Sequence, residues 1–391
     1  MSMPNPYNEI SSISYGPKIE NEDSIPEYLD SEIINDTEIT GALYSFKGSE
    51  IWQYIYAKSP DQRDLIFKQI NKNKNEGKDK DNDKDNNNVN LILEYSKNQC
   101  ANYFIRQILE CNDDDRDKEK HKIIFEILIN DIKELSAGKY STCVIQKLIE
   151  RVEEKDLEEI ANKLGVYTDI DYFIGNNNTN HVIQSLIKRQ KEEENDKIFE
   201  HITNFVKVAN DQYGCYIIIA ILKKCTDKCY YEILKKCCEN IVALSKDFGN
   251  YIFKYFFENK NKDIKLDIIY LALKGNIYEL SKDQQAVFVL KNALKLGNEN
   301  QRKDIINELL ELNKDKEDPL IYLSKHEFGN YVIQEVLDYC EPKTLKIIIK
   351  RIYSDPNIKK DIYGKHICKK IDKINCSKMG IFNNIIPGNH Y

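Results

Sequence analysis

The feature that most constrains the fold of this chain is a short pattern that returns at a nearly constant interval. It combines a polar residue, a ring and, at the fifth position, a glutamine, as in Asn330-Tyr331-x-x-Gln334 and Asn180-His181-x-x-Gln184. Aligning the fifth residues of eight such pentapeptides gives successive intervals of 53, 40, 38, 35, 35, 36 and 44 residues. This basic period predicts a solenoid, in which each repeat buries its apolar side against its neighbours.

The eight pentapeptides define eight predicted repeats, and a truncated ninth, Tyr363-Gly364-Lys365-His366-Ile367, closes the array. On a helix the first and fifth residues lie one turn apart, so each pentapeptide is expected to present both on one face, with the ring beside them. The first, second and fifth residues are, in chain order, Ser49, Glu50 and Gln53; Asn102, Tyr103 and Arg106; Thr142, Cys143 and Gln146; Asn180, His181 and Gln184; Cys215, Tyr216 and Ile219; Asn250, Tyr251 and Lys254; Ala286, Val287 and Leu290; and Asn330, Tyr331 and Gln334.

The segments between the pentapeptides have the periodicity of amphipathic helices. In residues 122–135, 197–208, 230–244 and 302–312 the apolar residues recur at intervals of three and four, which is the spacing of one helix face. Proline, which interrupts helices, is absent from residues 61–318. The sequence therefore predicts an all-α protein with two to three helices in each repeat, stacked into a superhelix.

Composition sets three segments apart from the repeats. Residues 1–40 contain four of the nine prolines and little periodicity, which predicts a poorly ordered leader. Residues 71–90 are almost entirely Asn, Lys and Asp, which predicts a solvated insertion. The ordered array is expected over residues 41–375, and a short C-terminal tail, 376–391, follows it.

Neither a metal site nor a cofactor is predicted. Residues 81–85 imitate the start of a calcium loop, but Asn86 stands where that loop needs glycine and Ile92 where it needs glutamate. The 11 cysteines are an odd number and indicate reduced thiols in an intracellular protein. Four of them lie close together without the spacing of zinc ligands: Cys225, Cys229, Cys237 and Cys238.

The sequence predicts neither an enzyme nor a membrane protein. The chain has no phosphate-binding glycine loop, no His-Glu-x-x-His and no Gly-x-Ser-x-Gly. The longest apolar run, residues 216–222, is too short to cross a bilayer.

The polar and ring residues of the pentapeptides suit unpaired RNA. An exposed base offers its Watson–Crick edge and both ring faces, and an amide supplies a donor and an acceptor together. The net charge of -7 argues mildly against nucleic acid, although the acidic residues are concentrated in the leader and loops. Basic residues that follow the pentapeptides are expected to attract phosphates: Lys147, Lys188, Arg189, Lys223, Lys224, Lys291, Lys369 and Lys370.

These motifs resemble those of the Pumilio (PUF) family of RNA-binding proteins over roughly residues 41–375. The resemblance is most specific in the fourth and eighth pentapeptides and in the closing Gly364-Lys365-His366-Ile367. It implies a right-handed α-solenoid (superhelix) of about eight three-helix repeats with a C-terminal cap, in which each repeat binds one base. The residues that it implies for RNA contact are Ser49, Gln53, Asn102, Tyr103, Arg106, Thr142, Gln146, Asn180, His181, Gln184, Cys215, Tyr216, Asn250, Tyr251, Lys254, Asn330, Tyr331 and Gln334.

The resemblance also implies that RNA runs antiparallel to the repeats, with repeat eight at the 5′ base. It implies uracil at repeats eight and four and adenine at repeat one. At repeat three, Thr142 stands in the usual place of Cys or Ser and Cys143 in that of the stacking side chain, which weakens the preference for adenine. Arg106 and Lys254 in the place of glutamine weaken the preference for uracil at repeats two and six. Repeats five and seven offer apolar residues, so the expected element has the form U-n-(U)-n-U-A-(U)-A.

The leading hypothesis is a cytoplasmic, monomeric protein that binds mRNA 3′ untranslated regions and recruits protein effectors of translational repression or decay. One alternative is a nucleolar Pumilio-like factor of ribosome assembly, because such relatives have degenerate pentapeptides like those of repeats five and seven. Another is a protein-binding scaffold of the HEAT or armadillo kind, which the acidic composition favours. The scaffold hypothesis does not explain why amides and rings recur together.

Overall fold

The computed structural model describes residue 39 and residues 41–72, 90–168, 170–259, 267–312 and 317–377. The regular elements in these ranges are helices, which confirms the all-α fold. None of these helices is both long enough and apolar enough to cross a membrane. The predicted leader, insertion and tail lie almost wholly outside the described residues, as does the sequence that imitates a calcium loop.

The chain divides into two compact units, of which the first ends at His201. The helices described in this N-terminal unit are α1 (Phe46–Lys58), α2 (Arg63–Ile70), α3 (Leu91–Lys97), α4 (Asn102–Glu110), α5 (Asp115–Leu128), α6 (Ile132–Ala137), α7 (Ser141–Arg151), α8 (Glu154–Leu164), α9 (Asp171–Ile174), α10 (Thr179–Arg189) and α11 (Glu192–Glu200).

The C-terminal unit begins at Ile202. Its described helices are α12 (Phe205–Ala209), α13 (Gly214–Lys223), α14 (Asp227–Glu239), α15 (Ile241–Ser245), α16 (Asn250–Glu258), α17 (Asp267–Leu273), α18 (Ile277–Leu280), α19 (Ala286–Leu296), α20 (Glu299–Leu310), α21 (Pro319–Ser324), α22 (Gly329–Tyr339), α23 (Pro342–Ile352) and α24 (Gly364–Ser377).

Each pentapeptide lies near the start of a central helix. From repeat two onward, a short helix precedes the central helix and a third helix follows it. In the N-terminal unit the central helices α1, α4, α7 and α10 pack side by side in that order. In the C-terminal unit α13, α16, α19, α22 and then α24 do the same. This arrangement confirms three helices per repeat.

The apolar spacing of the central helices determines which side faces the core. In α22 the side chains of Val332, Ile333, Val336 and Leu337 are each at most 1% exposed. Burial of one such side chain contributes roughly 1.5–3 kcal/mol. Because these four residues occupy one side of the helix, the ring of Tyr331 is left on the opposite, accessible side.

A recurring turn starts the central helices of repeats two, four, five, seven and eight. A side-chain acceptor four residues before the first pentapeptide residue receives two backbone N–H groups, as when Asp211 Oδ1 accepts from Tyr213 and Gly214 at 2.8 Å each. Such a turn orients the chain before the helix begins. The same pair of hydrogen bonds is made by Asn98, Asn176, Asp283 and Asp361.

Gly214, the first residue of α13, lies too close to the preceding short helix to carry a side chain. A Cβ atom at this position would lie 2.2 Å from the carbonyl oxygen of Val208. We therefore expect Gly214→Ala to lower the free energy of unfolding by about 1–3 kcal/mol through overpacking. Thermal unfolding followed by circular dichroism measures the effect. Gly175→Ala is the matched control, because no atom lies within 4 Å of its Cβ position, and an equal loss in both variants would contradict this explanation.

Candidate nucleic-acid interface

In four of the eight pentapeptides the side chains of the first and fifth residues are hydrogen-bonded to each other. Gln184 Nε2 donates to Asn180 Oδ1 at 2.9 Å, and Gln334 Nε2 donates to Asn330 Oδ1 at 3.0 Å. This confirms that the two residues of a pair share one face. The same contact, at 3.3 Å in both cases, joins two further pairs, Gln146 to Thr142 and Gln53 to Ser49.

The first residue of each pair is more buried than the sequence predicts. Asn180 is 1% exposed and Asn330 is 2% exposed. Asn330 Nδ2 donates to the carbonyl oxygens of His326 and Glu327, at 2.9 and 2.7 Å. The expectation that both amides open on the same surface is therefore wrong for the first amide. Burial is shared by the other predicted first residues, Ser49, Asn102, Thr142, Cys215 and Asn250.

The physical reason is the position of the first residue in the opening turn of its helix. The preceding turn places two backbone carbonyl oxygens beside the asparagine amide, and a buried Nδ2 donor needs such acceptors. Asn102 donates to the carbonyl oxygens of Asn98 and Gln99 at 2.7 and 2.9 Å in the same way. The asparagine thus holds the glutamine amide in position, and the half-buried glutamine is the polar group that remains accessible.

The second residues of the pentapeptides place rings beside these amides. Tyr331 is 51% exposed, and Tyr103, His181, Tyr216 and Tyr251 are half-buried. Burial lowers the pKa of His181 below its ordinary value, so the ring is neutral at pH 7. Neutral rings with one open face are suited to stacking on bases.

The sequence alignment of repeat seven was wrong by one residue. In α19 the side chains of Val287 and Leu290 are buried, whereas Phe288 is 48% exposed. Asp283 forms the turn that starts the helix, and it lies four residues before Val287 rather than before Ala286. The first, second and fifth residues of repeat seven are therefore Val287, Phe288 and Lys291, not Ala286, Val287 and Leu290.

The corrected register reveals two candidate contact residues that the sequence reading missed. Phe288 supplies a ring to repeat seven, and Lys291 Nζ lies 5.8 Å from the ring centre of Tyr331 and 3.3 Å from Glu335 Oε1. The sequence signal that identifies these two residues is Asp283, the acidic residue of the turn, which lies four residues before the first pentapeptide residue.

Repeats two, five and six differ from the glutamine pattern as the sequence predicts. Arg106 lies over the ring of Tyr103, with 5.5 Å from Cζ to the ring centre. Ile219 is buried and offers no hydrogen bond. Lys254 is exposed. The fifth position is thus cationic in repeats two, six and seven and apolar in repeat five.

Several of the basic residues expected to attract phosphates are engaged within the protein. Lys147 Nζ lies 2.8 Å from Glu150 Oε2, and Lys370 Nζ lies 2.6 Å from Asp338 Oδ2. Arg189 donates to two backbone carbonyl oxygens at 2.8 and 3.0 Å. These contacts weaken the prediction that the three residues attract phosphates. The two lysines are already paired with carboxylates, and the guanidinium of Arg189 is held by backbone carbonyl oxygens.

His326 occupies the turn position of repeat eight that Asp or Asn holds in repeats two, four, five and seven. Its Nδ1 accepts from the backbone N–H groups of Phe328 and Gly329 at 3.2 and 3.3 Å, which requires an unprotonated Nδ1. Burial and the nearby charge of Lys282 lower the pKa of His326. The contribution of this turn to stability is therefore present above about pH 6.5 and is lost as the pH falls through the lowered pKa.

We expect wild-type protein to lose about 1 kcal/mol of stability between pH 7.5 and pH 5 from this turn. His326→Asn should not show that component, because asparagine accepts the same two hydrogen bonds without titrating in this range. Urea unfolding at the two pH values, compared between the proteins, isolates this histidine from others that also titrate. An identical pH dependence in both proteins would contradict the assignment.

The repeated ring and polar side chain on the central helices define a class of protein, a helical-repeat protein with one candidate binding position per repeat. A sequence profile described as the Pumilio-family RNA binding repeat matches residues 92–128, 131–164, 180–203, 204–236, 276–310 and 320–353, about half of the chain. The chain belongs to the Pumilio family.

Relatives and solved structures agree with this assignment. Pumilio homolog 12 of Arabidopsis thaliana is 28% identical over 285 residues, which are 71% of this chain and 46% of that protein. Pumilio homology domain family member 4 of Saccharomyces cerevisiae is 31% identical over 174 residues, which are 41% of this chain and 18% of that protein. The chain spans about half the length of the first of these relatives and of two further Arabidopsis Pumilio homologs.

Two solved structures show the same fold. The Puf3 RNA binding domain bound to a Cox17 RNA 3′ UTR recognition sequence is similar with a TM-score of 0.65 and 25% identity, covering 82% of this chain and 89% of that chain. PUF-8 in complex with PBE-RNA has a TM-score of 0.73 at 17% identity, covering 90% and 97% of the two chains. The solenoid of three-helix repeats predicted from the sequence is confirmed.

Proposed function

We propose that this protein binds single-stranded RNA with sequence selectivity, on 3′ untranslated regions of mRNA, and thereby represses translation or promotes decay. The observation that carries the proposal is the recurring pair of a ring and an accessible fifth residue on successive central helices. Within each unit these helices pack side by side, so neighbouring positions are spaced regularly. The Puf3 domain, to which this chain is similar, is described as bound to a 3′ UTR sequence.

Each repeat would contact one nucleotide through two kinds of contact. The ring stacks on a base, which contributes ~1–3 kcal/mol per base. The glutamine amide, fixed by the asparagine behind it, offers one acceptor and one donor to the base edge. Uracil alternates acceptor, donor and acceptor along its edge, so the amides of Gln184 and Gln334 can pair with it, and the resemblance to the family's asparagine–glutamine repeats assigns uracil to repeats four and eight.

The corrected register changes the RNA element expected at repeat seven. Lys291 has three donors and no acceptor, so it cannot receive the N3–H of uracil. Val287, buried behind it, adds no polar group. The second base of the element should therefore be one with adjacent acceptors, as guanine presents at O6 and N7. This replaces the earlier expectation that repeat seven has no polar contact with its base.

Selection from a random RNA pool by the full chain tests the proposal. We expect an enriched element of about eight nucleotides with uracil at its first and fifth bases, and binding that weakens as salt increases. Fluorescence anisotropy with the enriched RNA then measures the affinity. Absence of binding at low salt would overturn the proposal and leave the protein-binding scaffold as the better explanation.

The cellular part of the proposal, a monomer that acts in the cytoplasm by recruiting protein effectors, needs a separate test. Crosslinking of the protein to RNA in cells, followed by sequencing, should recover 3′ untranslated regions that contain the selected element. A tagged full-length protein should be cytoplasmic. Nucleolar signal with crosslinks to ribosomal RNA precursors would overturn this part and favour the ribosome-assembly alternative.

A further inference from the structure

The side of α23 that faces away from the core is basic along its length. The buried side chains of this helix recur at intervals of three and four and define one side of it: Leu345, Ile348, Ile349 and Ile352. The residues on the opposite side recur with the same spacing, and all are exposed: Lys343, Lys346, Ile347 and Lys350. These four residues, the exposed face of α23, place three ammonium groups around one isoleucine that is 53% exposed.

This face differs from the exposed sides of the other third helices. Each of α5, α8, α11, α14, α17 and α20 exposes at least one Asp or Glu, whereas α23 contains four Lys or Arg and no acidic residue. In α14, for example, the exposed Lys228 and Lys235 alternate with the exposed Glu232 and Glu239. The helix α23 thus concentrates positive charge in a chain whose net charge is -7.

The acidic residues that flank α23 in the sequence are paired with cations outside this face. Glu341 pairs with Lys303 at 2.7 Å, and Lys303 also holds Glu299 at 2.9 Å. At the other end of the helix Asp355 pairs with Lys325 at 2.6 Å. These three carboxylates are already neutralised, so the positive charge of the face attracts an anionic partner.

The chemistry of the face distinguishes between classes of anionic partner. Its four residues include no ring on which a nucleic-acid base could stack. A cavity beside the first turn, lined in part by Arg302, Tyr339 and Thr344, has a volume of only about 40 Å³, too small for a side chain of a bound peptide. Lysines around an exposed aliphatic side chain are instead the combination that binds the surface of an anionic lipid bilayer.

We propose that the exposed face of α23 is a peripheral contact site for bilayers of anionic phospholipids. The ammonium groups lie among the headgroups, and Ile347 enters the boundary between headgroups and acyl chains. Because a single aliphatic side chain enters, the contact is reversible and weakens as salt increases. It involves no pentapeptide residue, so it does not depend on the proposed RNA-binding function, and it requires no helix that crosses the membrane.

Co-sedimentation of the full chain with vesicles tests the proposal. The probes are vesicles of phosphatidylcholine alone and vesicles that also contain about 30% phosphatidylserine, whose headgroups supply the negative surface. At about 50 mM salt we expect wild-type protein to bind the anionic vesicles about 10-fold or more tightly than the neutral ones. Raising the salt to about 500 mM should remove most of this difference.

Paired variants assign the binding to α23. K343A/K350A should weaken binding to the anionic vesicles about 10-fold or more, because each lysine near such a surface contributes about 5-fold. The matched control is K228A/K235A, which removes two exposed lysines with the same spacing from α14 and should change the affinity less than about twofold.

The aliphatic contact has its own pair of variants. Ile347→Ser should weaken binding to the anionic vesicles about 3-fold or more, because it removes the side chain that enters the bilayer. Ile362→Ser should not, since Ile362 is 68% exposed but lies in the turn before α24. All four positions of substitution in α23 and α24 are on the surface or in this turn, and circular dichroism checks that each variant is folded.

The proposal is overturned if wild-type protein binds neutral and anionic vesicles equally, if the two lysine variants lose equally, or if the two isoleucine variants lose equally. A labelled polyglutamate peptide tests the competing class of partner by fluorescence anisotropy. If that peptide binds the wild-type protein, K343A/K350A loses this binding, and the anionic vesicles remain unbound, then the face binds an acidic protein segment and the lipid proposal is wrong.

Discussion

Replacement of Arg63 by alanine is expected to destabilise the N-terminal unit by about 3 kcal/mol, because the buried carboxylate of Asp117 then keeps only one ion pair, the longer contact with Lys120 at 3.4 Å. The Arg63 side chain is 5% exposed, and its Nη1 lies 2.7 Å from Asp113 and 2.8 Å from Asp117. Its other nitrogens donate to the carbonyl oxygens of Tyr56 and Ala57 at 2.9 and 3.1 Å. One guanidinium thus joins α1, α2 and the start of α5.

The chain contains a single tryptophan, Trp52, which is buried in α1 four residues before Tyr56. Urea unfolding followed by tryptophan fluorescence therefore reports on the N-terminal unit specifically. Arg116→Ala is the matched control, because this arginine is exposed and pairs with Asp114 and Asp64 at the surface. Its removal should cost less than about 1 kcal/mol. Equal losses from the two variants would contradict the importance of burial.

A double variant separates the loss of an attraction from the exposure of a buried charge. In Arg63→Met with Asp117→Asn, no buried ionised carboxylate remains without a counter-ion, because the side chain of Asp113 is 67% exposed and Lys120 keeps Asp64 at 2.6 Å. We expect this variant to be more stable than Arg63→Ala alone, since removing both partners costs less than removing one. A larger loss in the double variant would show that the hydrogen bonds, rather than the uncompensated charge, dominate.

The sequence could predict the repeats because their apolar residues and rings recur at fixed positions. Repeats four and eight, with Asn180, Gln184, Asn330 and Gln334, set the register for the others. Repeat seven lacks both amides, so nothing in its pentapeptide distinguished Leu290 from Lys291. In repeat seven only the position of Asp283 indicates the register. Its two backbone hydrogen bonds, which the sequence does not show, identify it as the acceptor of the turn that starts the helix.

The burial of the first amide could not be predicted in the same way. Its partners are backbone carbonyl oxygens, such as those of His326 and Glu327, and a backbone carbonyl has no signature in the sequence. The state of the lysines was equally hidden. Lys147 is paired with Glu150, whereas Lys369 is exposed, although both follow a pentapeptide closely. Pairing depends on side-chain geometry that residue spacing does not specify.

The asparagine–glutamine pair of repeat eight leads to the second large expected effect. Gln334→Glu keeps the shape of the side chain but replaces the donor at Nε2 with an acceptor. The variant can neither donate to Asn330 Oδ1, as the wild-type residue does at 3.0 Å, nor donate to a uracil oxygen. We expect affinity for the selected RNA to fall about 5–150-fold, which corresponds to the ~1–3 kcal/mol of a two-contact base recognition.

The added negative charge would also repel phosphates, and the control must carry the same change. Gln284→Glu provides it, because Gln284 is exposed and lies before α19 rather than in a pentapeptide. It should weaken binding less than about threefold, an effect that increasing salt removes, whereas most of the loss in Gln334→Glu should persist at high salt.

Anisotropy titrations with the 5′ uracil replaced by guanine complete the test. A glutamate accepts from the N1–H and N2–H groups of guanine, so Gln334→Glu should narrow or reverse the preference between the two RNAs. If both variants lose affinity equally, and neither changes the preferred base, Gln334 does not contact the base.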